Sequence, residues 1–491
     1  MRVSSPRSCL PSGVPGFDAL LGGGIPRRQS LLITGQPGTG KTVLASQVAF
    51  HHSALGTPVV LATTTSESQA KLLEDLAGFS FFSRQRLGEE FFFLSIYSWL
   101  KKGPREAREV LLHTVRERKA QVLVVDGLRS VRDLWQDEAK LREFFYELSV
   151  GLATVDCTAI FITEYPLSKL IDFPESTTVD GIISLSNEEG TTGRVRRAEV
   201  VKLRGMKHLP GKHVMRIGAS GIRILPRAEA IIEPDVDFVP PKGRADFGLP
   251  ELDSLFEGGL PRDTAALIAG STGVGKTLLG MHFAAAGAMR GEKSLVFTFA
   301  EPVASLVARA RRVNLELEPL ISSGMMHLRY NPCFEVEADE IVEMLLAELE
   351  RTGARRLVLE DVDTLERALE NPGRSRAFFG ALLIRLRSMG ITSLFTRKIS
   401  KLIGPELDFS DSPLASVAEN LLFLRHVELR GRLHRVMSIL NLRNSRFDPS
   451  LREFEIRDEG LRVLKPLNSA EGLLTGMARP MGVLSRETEL Q

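Results

Sequence analysis

This 491-residue sequence predicts an α/β fold used twice: two tandem domains, each a mostly parallel sheet flanked by helices, with antiparallel strands at its end. Three observations carry that expectation. Two glycine-rich loops of one shape, "GQPGTGKT" at 35–42 and "GSTGVGKT" at 270–277, each follow an apolar run and open a helical pattern. The stretch "GVPGFDALLGGGIPRRQSLLITGQPGTGKT" (13–42) overlays "GLPELDSLFEGGLPRDTAALIAGSTGVGKT" (248–277) without a gap, at an offset of 235 residues. Short β-branched runs also alternate with helically spaced apolar residues in both halves.

In the first half, "SLLIT", "PVVLATT", "EFFFLSI", "VLVVD" and "AIFITE" are continuous apolar runs, the pattern of strands covered on both faces. The segment "KTVLASQVAFHHSAL" spaces its apolar residues as a helix does. Beyond these, "GIISLS", "RRAEVVKL" and "HVMRIG" read as antiparallel strands. The second half repeats the plan: "VLVVDGL" (122–128) falls against "LVLEDVD" (357–363), "VVKLRG" (200–205) against "ILNLRN" (439–444), and "NLLFLR", "HRVMSILNL" and "REFEIRD" close it as antiparallel strands. A repeat this long is a domain duplication rather than a stacked array. Between the halves, Pro226, Pro234, Pro240 and Pro241 disfavour helix interiors and central strands. The expected organisation is an N-terminal tail (1–11), a first domain (12–228), a Pro-rich linker (229–246), a second domain (247–466) and a C-terminal tail (467–491).

The net charge of +2 gives no global basic field, which argues against nucleic acid as a partner. Cys9, Cys157 and Cys333 show no C-x-x-C spacing, against a zinc site or disulfide framework, and suit a reducing cytoplasm. No apolar run is long enough to span a membrane, and the first residues lack a signal h-region. A cytoplasmic location with no membrane partner is expected.

G-x-x-x-x-G-K-T between strand and helix is a phosphate cradle: backbone N–H groups and the helix dipole face the phosphates, the lysine reaches the β/γ oxygens and the threonine ligates Mg²⁺. The expected nucleotide-binding residues are Gly35, Gln36, Pro37, Gly38, Thr39, Gly40, Lys41 and Thr42 in one cradle, and Gly270, Ser271, Thr272, Gly273, Val274, Gly275, Lys276 and Thr277 in the other. Asp126, ending "VLVVD", and Glu360 in "LVLED", with Asp361 next to it, are strand-tip acids suited to support the metal beside Thr42 and Thr277. Attack on the γ-phosphate needs an oriented water or hydroxyl; "TTTSES" (63–68) offers Glu67 and "FTFAEP" (297–302) offers Glu301. His51 and His52 read as cover for a helix face, "FEVEADEIVEML" (334–345) as the solvated side of a helix opening, and "RARRVNLEL" (309–317) as wet surface.

These residues resemble the KaiC family of RecA-like P-loop NTPases, whose circadian-clock members carry two tandem ATPase domains. The resemblance covers about residues 12–466 and rests on "GVPGFDALLGGGIP", both cradles, "VKLRGMKHLPGKHVMRIGASGIRILP" and "VELRGRLHRVMSILNLRNSRFDPSLREFEIRDEG". It implies a homo-hexameric double ring with ATP between neighbours, Lys202 and Arg204 of "KLRG" reaching the neighbour's γ-phosphate, and Arg443 of "NLRN" as the counterpart beside Asn441, where the family usually has lysine. The family's paired catalytic glutamates are represented here by Ser66 with Glu67 and Ala300 with Glu301. In its autophosphorylation segment, "FSDSPLASVAEN" (409–420), Ala415 and Ser416 stand at the two acceptor positions. The resemblance implies an ATP- and Mg²⁺-dependent signalling or clock-type switch whose first domain is the main ATPase, with regulatory partners at the C-terminal tail. The alternatives are a serine/threonine autokinase accepting at Ser416 and, on shared fold alone, a DNA-dependent ATPase.

Overall fold

The computed structural model describes residues 8–64, 69–170, 173–190, 193–231, 242–332, 336–369, 371–399, 413–429, 432–443, 446–466, 470–471 and 479–480. The chain divides into two compact units, 1–231 and 232–491. Most of the expected linker, 232–241, and nearly all of the C-terminal tail lie outside the described residues.

In the first unit one sheet is built from β1 (Ser30–Thr34), β2 (Val59–Thr63), β3 (Phe91–Ser95), β4 (Val122–Asp126), β5 (Thr158–Thr163), β6 (Gly181–Gly190), β7 (Gly193–Leu203), β8 (Lys212–Gly218) and β9 (Gly221–Leu225). Their spatial order is β9-β8-β7-β6-β1-β5-β4-β2-β3. The second unit has β10 (Ala265–Gly270), β11 (Ser294–Thr298), β12 (Met326–Tyr330), β13 (Arg356–Glu360), β14 (Thr392–Lys398), β15 (Asn420–Leu429), β16 (Arg432–Leu442), β17 (Arg452–Arg457) and β18 (Gly460–Pro466). Their order, β18-β17-β16-β15-β10-β14-β13-β11-β12, is the first order position for position. The duplication is therefore one of topology as well as of sequence.

The cradle strand β1 lies inside its sheet and is buried on both faces. Leu31 and Ile33 join Leu44 and Val48 of the helix Lys41–Ala54 on one side. Leu32 joins Leu111, Phe145 and Phe161 on the other. Burying each such side chain is worth about 1.5–3 kcal/mol, which is why these strands read as unbroken apolar runs. "GIISLS" and "NLLFLR" differ from the sequence expectation on one side. β6 runs parallel to β1, with Leu31 opposite Gly181, and antiparallel to β7, with Gly181 opposite Leu203; β15 does the same between β10 and β16. A strand that returns over a crossover arrives parallel, and the tight hairpin after it can only be antiparallel.

Two further readings acquire detail. The helix Ala338–Thr352 is not opened by wet acids alone: Glu337 and Asp339 are each 5% exposed, and the Arg374 guanidinium donates to both Asp339 carboxylate oxygens at 3.0 Å. A partner so distant in sequence is invisible to helical periodicity. His52 is buried, and that burial pushes its imidazole pKa down to about 4, so it packs as a neutral ring.

Arg356, the first residue of β13, is 1% exposed. Its guanidinium donates to Glu292 Oε2 at 2.8 Å, Asp246 Oδ1 at 3.1 Å and the Phe283 carbonyl at 3.0 Å. This cation joins the cradle helix, the strand before the second acid and the entry of the second unit. Burial acts to raise the Glu292 pKa, but hydrogen bonds from Arg262 and Arg356 outweigh it and hold the carboxyl below its usual value. That stabilisation is present above the unfolded-state pKa and is lost as pH falls through the folded one. Arg356→Met should cost the second unit about 2–3 kcal/mol in urea unfolding, because Glu292 and Asp246 lose their buried partner and keep only Arg262 and Arg290, and should flatten the acid side of its stability profile. A loss below about 1 kcal/mol would show that the network contributes little.

Candidate nucleotide site

Each cradle is shaped by glycine where a side chain would collide. Gly40 ends its loop at φ 99°, and a Cβ there would lie 2.7 Å from Ile217 Cδ1 of β8. Gly275 sits at φ 119°, and a Cβ there would lie 2.8 Å from Ile456 Cδ1 of β17. Both torsions lie in the region that L side chains rarely adopt. The antiparallel extension of each sheet thus packs directly on the cradle's last glycine. Gln36, Pro37 and Gly38 are exposed in one loop, as are Thr272 and Gly273 in the other, while Thr39 and Val274 are buried beneath them.

The lysines fold over their own loops. Lys41 Nζ donates to the Gln36 carbonyl at 2.9 Å, and Lys276 Nζ donates to the Gly270 and Ser271 carbonyls, each at 2.8 Å. Burial lowers the pKa of both ammonium groups, that of Lys276 to about 8; Glu164 and Asp126 partly oppose the fall at Lys41. Both cations sit where loop amides and the helix N-terminus favour an anion.

The structure brings each threonine to its strand-tip acid. Thr42 Oγ1 donates to Asp126 Oδ2 at 2.8 Å, and Thr277 Oγ1 donates to Glu360 Oε1. Glu360 also accepts from Thr298 Oγ1 at 3.0 Å and is 5% exposed, and burial raises its pKa. Asp361 turns away, accepting from Thr364 Oγ1 at 2.7 Å. A hydroxyl and a carboxylate side by side are the oxygen donors that magnesium takes when phosphates and water complete its octahedron. The residues present fit that ion as a sparse, phosphate-completed site. Among the described residues there is no cluster of three or more His, Cys, Asp or Glu suited to hold a metal.

Glu67 lies outside the described residues, as does Ser66. Glu301 is engaged: its carboxylate accepts from Ser305 Oγ at 2.5 Å and pairs with Arg309 at 2.8 Å. Lys202 and Arg204 are not brought to the cradle of their own unit. Lys202 lies at the end of β7 and Arg204 just beyond it, beside the start of β6, so β1 runs its whole length, roughly 15 Å, between them and the phosphate loop. There Lys202 Nζ donates to the Val179 and Ser176 carbonyls at 2.7 and 3.0 Å, and Arg204 donates to the Thr177 carbonyl at 2.9 Å. Arg443 occupies the matching edge of the second unit and is exposed, while Asn441 Nδ2 reaches the Glu419 carbonyl at 3.4 Å. Ser416 is exposed in the short helix Pro413–Val417, its hydroxyl donating to the Pro413 carbonyl at 2.7 Å.

Two residues near the cradles escaped the sequence reading. Glu164 lines a cavity of about 300 Å³ together with Thr42, Thr63, Gln69 and Asp126. His426 Nδ1 lies 3.2 Å from Ser271 Oγ of the second loop. The signal for Glu164 was the one used for Asp126, an acid closing an apolar strand, in "AIFITE". Nothing local marks His426, because β15 meets the loop only through the sheet.

A family model described as "ATPase: KaiC" matches residues 10–229 and again residues 245–468. The circadian clock protein KaiC3 of Synechocystis sp. is 28% identical over 496 residues, covering 98% of this chain and 96% of that protein. The circadian clock oscillator protein KaiC of Thermosynechococcus vestitus is 24% identical over 494 residues, covering 98% and 93%, and that of Rippkaea orientalis 25% identical over 476 residues, covering 94% and 90%. Among the described residues no helix is long and apolar enough to cross a membrane.

With two separately built cradles, Lys41→Ala and Lys276→Ala should each remove one ATP site per chain, weakening that site by about a hundredfold, or near 3 kcal/mol. Equilibrium titration with a fluorescent ATP analogue should show the stoichiometry halve in either variant. Loss of both sites from a single substitution would contradict independent cradles.

Proposed function

Since the chain belongs to the KaiC family of ATPases, we propose that both cradles bind ATP with Mg²⁺ and that hydrolysis is chiefly the work of the first domain, the pair acting as a nucleotide-dependent switch. The observation that carries this division is the state of the second-domain acid. Glu301 is held by Arg309 and Ser305, which already occupy its carboxylate oxygens, so it would have to release them to take hold of an attacking water. In the first domain that role falls to Glu67. Water forms a bond to the γ-phosphorus as the bond to the β–γ bridging oxygen breaks; the electron pair leaves with ADP, and the water's proton passes through the carboxylate to solvent. Thr42 with Asp126, and Thr277 with Glu360, would hold the magnesium, which supplies positive charge against the phosphate oxygens.

The position of Lys202 and Arg204, a strand's length from their own phosphate loop, supports a role toward a neighbouring chain's nucleotide. This suits a homo-hexameric double ring working in the cytoplasm, with regulatory proteins acting at the C-terminal tail. Arg443 would act alike in the second domain, without the lysine that Asn441 replaces.

A second reading, slow autophosphorylation, is favoured by the exposed hydroxyl of Ser416. Intact mass after incubation with Mg-ATP, beside Lys276→Ala, separates the two. The proposed ATPase should release phosphate without gaining mass and should lose at least about tenfold in turnover on Lys41→Ala, a barrier change near 1.4 kcal/mol. A phosphoryl increment that maps to Ser416 and vanishes in Lys276→Ala would make the second domain a kinase.

A further inference from the structure

The two cradles carry opposite charges at one equivalent position. In the first unit Thr34 pairs with Thr163, so Glu164 is the next residue beyond β5 beside the loop's first glycine. In the second unit Ala269 pairs with Arg397 and Gly270 with Lys398, which puts Lys398 at the corresponding place beside Gly270. The strand orders are identical, so register alone makes Glu164 and Lys398 counterparts.

The surroundings of the two differ accordingly. Glu164 is half exposed, with Arg129 at 3.9 Å, and it shares a cavity with Thr42, Asp126, Thr63, Gln69 and Asp75. That cavity opens at the hydroxyl and carboxylate proposed to hold the metal. Lys398 is exposed, with its backbone N–H donating to Asp363 Oδ2 at 2.9 Å, while Arg397 beside it pairs with Asp363 at 3.2 Å and Glu366 at 3.1 Å.

We propose that Glu164 is a positioning residue for hydrolysis in the first cradle, accepting a hydrogen bond from the attacking water, and that Lys398 in its place makes the second cradle retain phosphate rather than release it. A carboxylate facing the γ-phosphate repels that dianion and can accept a hydrogen bond from water; an ammonium attracts the dianion and cannot accept one. The proposal deepens the division of labour stated above and rests on it. It accounts for that division by one exchanged charge, in addition to the state of Glu301.

The experiment uses the full chain with Lys276→Ala, so that the first cradle alone is read. Glu164→Gln should lower kcat at least tenfold while leaving KM for Mg-ATP within about threefold, with part of the rate restored by Glu164→Asp. Glu164→Lys should also lower kcat and should tighten binding of a fluorescent ATP analogue several-fold. A kcat within twofold of the parent in both Gln and Lys variants overturns the proposal. If instead Lys41→Ala leaves phosphate release intact in the otherwise unaltered chain, hydrolysis is not in the first cradle and the role of Glu164 falls together with the division of labour it rests on; a release lost in Lys41→Ala but unchanged in Glu164→Gln overturns the role of Glu164 alone. Lys398→Glu, read with Lys41→Ala, should weaken analogue binding at the second cradle several-fold, and unchanged binding there counts against the exchange.

Discussion

A hydrogen bond from one hydroxyl to one carboxylate fixes the geometry of each unit. Thr42 stands in the first turn of the cradle helix and Asp126 at the tip of β4, with β5 between β4 and the cradle strand. For the two to meet, the parallel strands must end in line, and the turn before the helix must be tight enough to leave the threonine facing the sheet. The glycine at positive φ supplies that turn. The second unit solves the same problem with a carboxylate one methylene longer, and Glu360 is consequently drawn under Thr298 as well as Thr277.

Much of this was legible in the sequence because its causes are local. A buried parallel strand has to be apolar throughout, and a phosphate cradle has to be glycine at fixed spacing, so β1, β4, β10 and both loops announce themselves. The gapless match between the halves then extended each assignment to its twin. What the sequence hid depends on pairing across distance. The two-sided character of β6 and β15 follows from which strand each one meets, and Asp339 is buried because Arg374 comes from another helix. The contact of His426 with Ser271 likewise exists only once β15 lies beside β10. Glu164 was visible as a strand-ending acid but had no meaning until β5 was seen next to the cradle strand.

The duplicated scaffold and the proposed division of labour are compatible because they are carried by different atoms. Strand order, glycine torsions and threonine-to-acid contacts rest on backbone and buried groups, where change costs folding. Glu164 against Lys398, and Lys202 against Asn441, are differences at strand ends near the surface, where a charge can be exchanged without repacking a core. The same fold can thus bind one ligand twice and treat it differently.

The contact of Ile217 with Gly40, and of Ile456 with Gly275, sets an order of events during synthesis. A cradle is among the earliest pieces of its half to leave the ribosome, yet the strand that closes over its last glycine is among the latest. Neither glycine can take up this packing before the closing strand of its own half has been made. Each half, however, carries its own closing strand, so the first can become competent for nucleotide before the second has been translated.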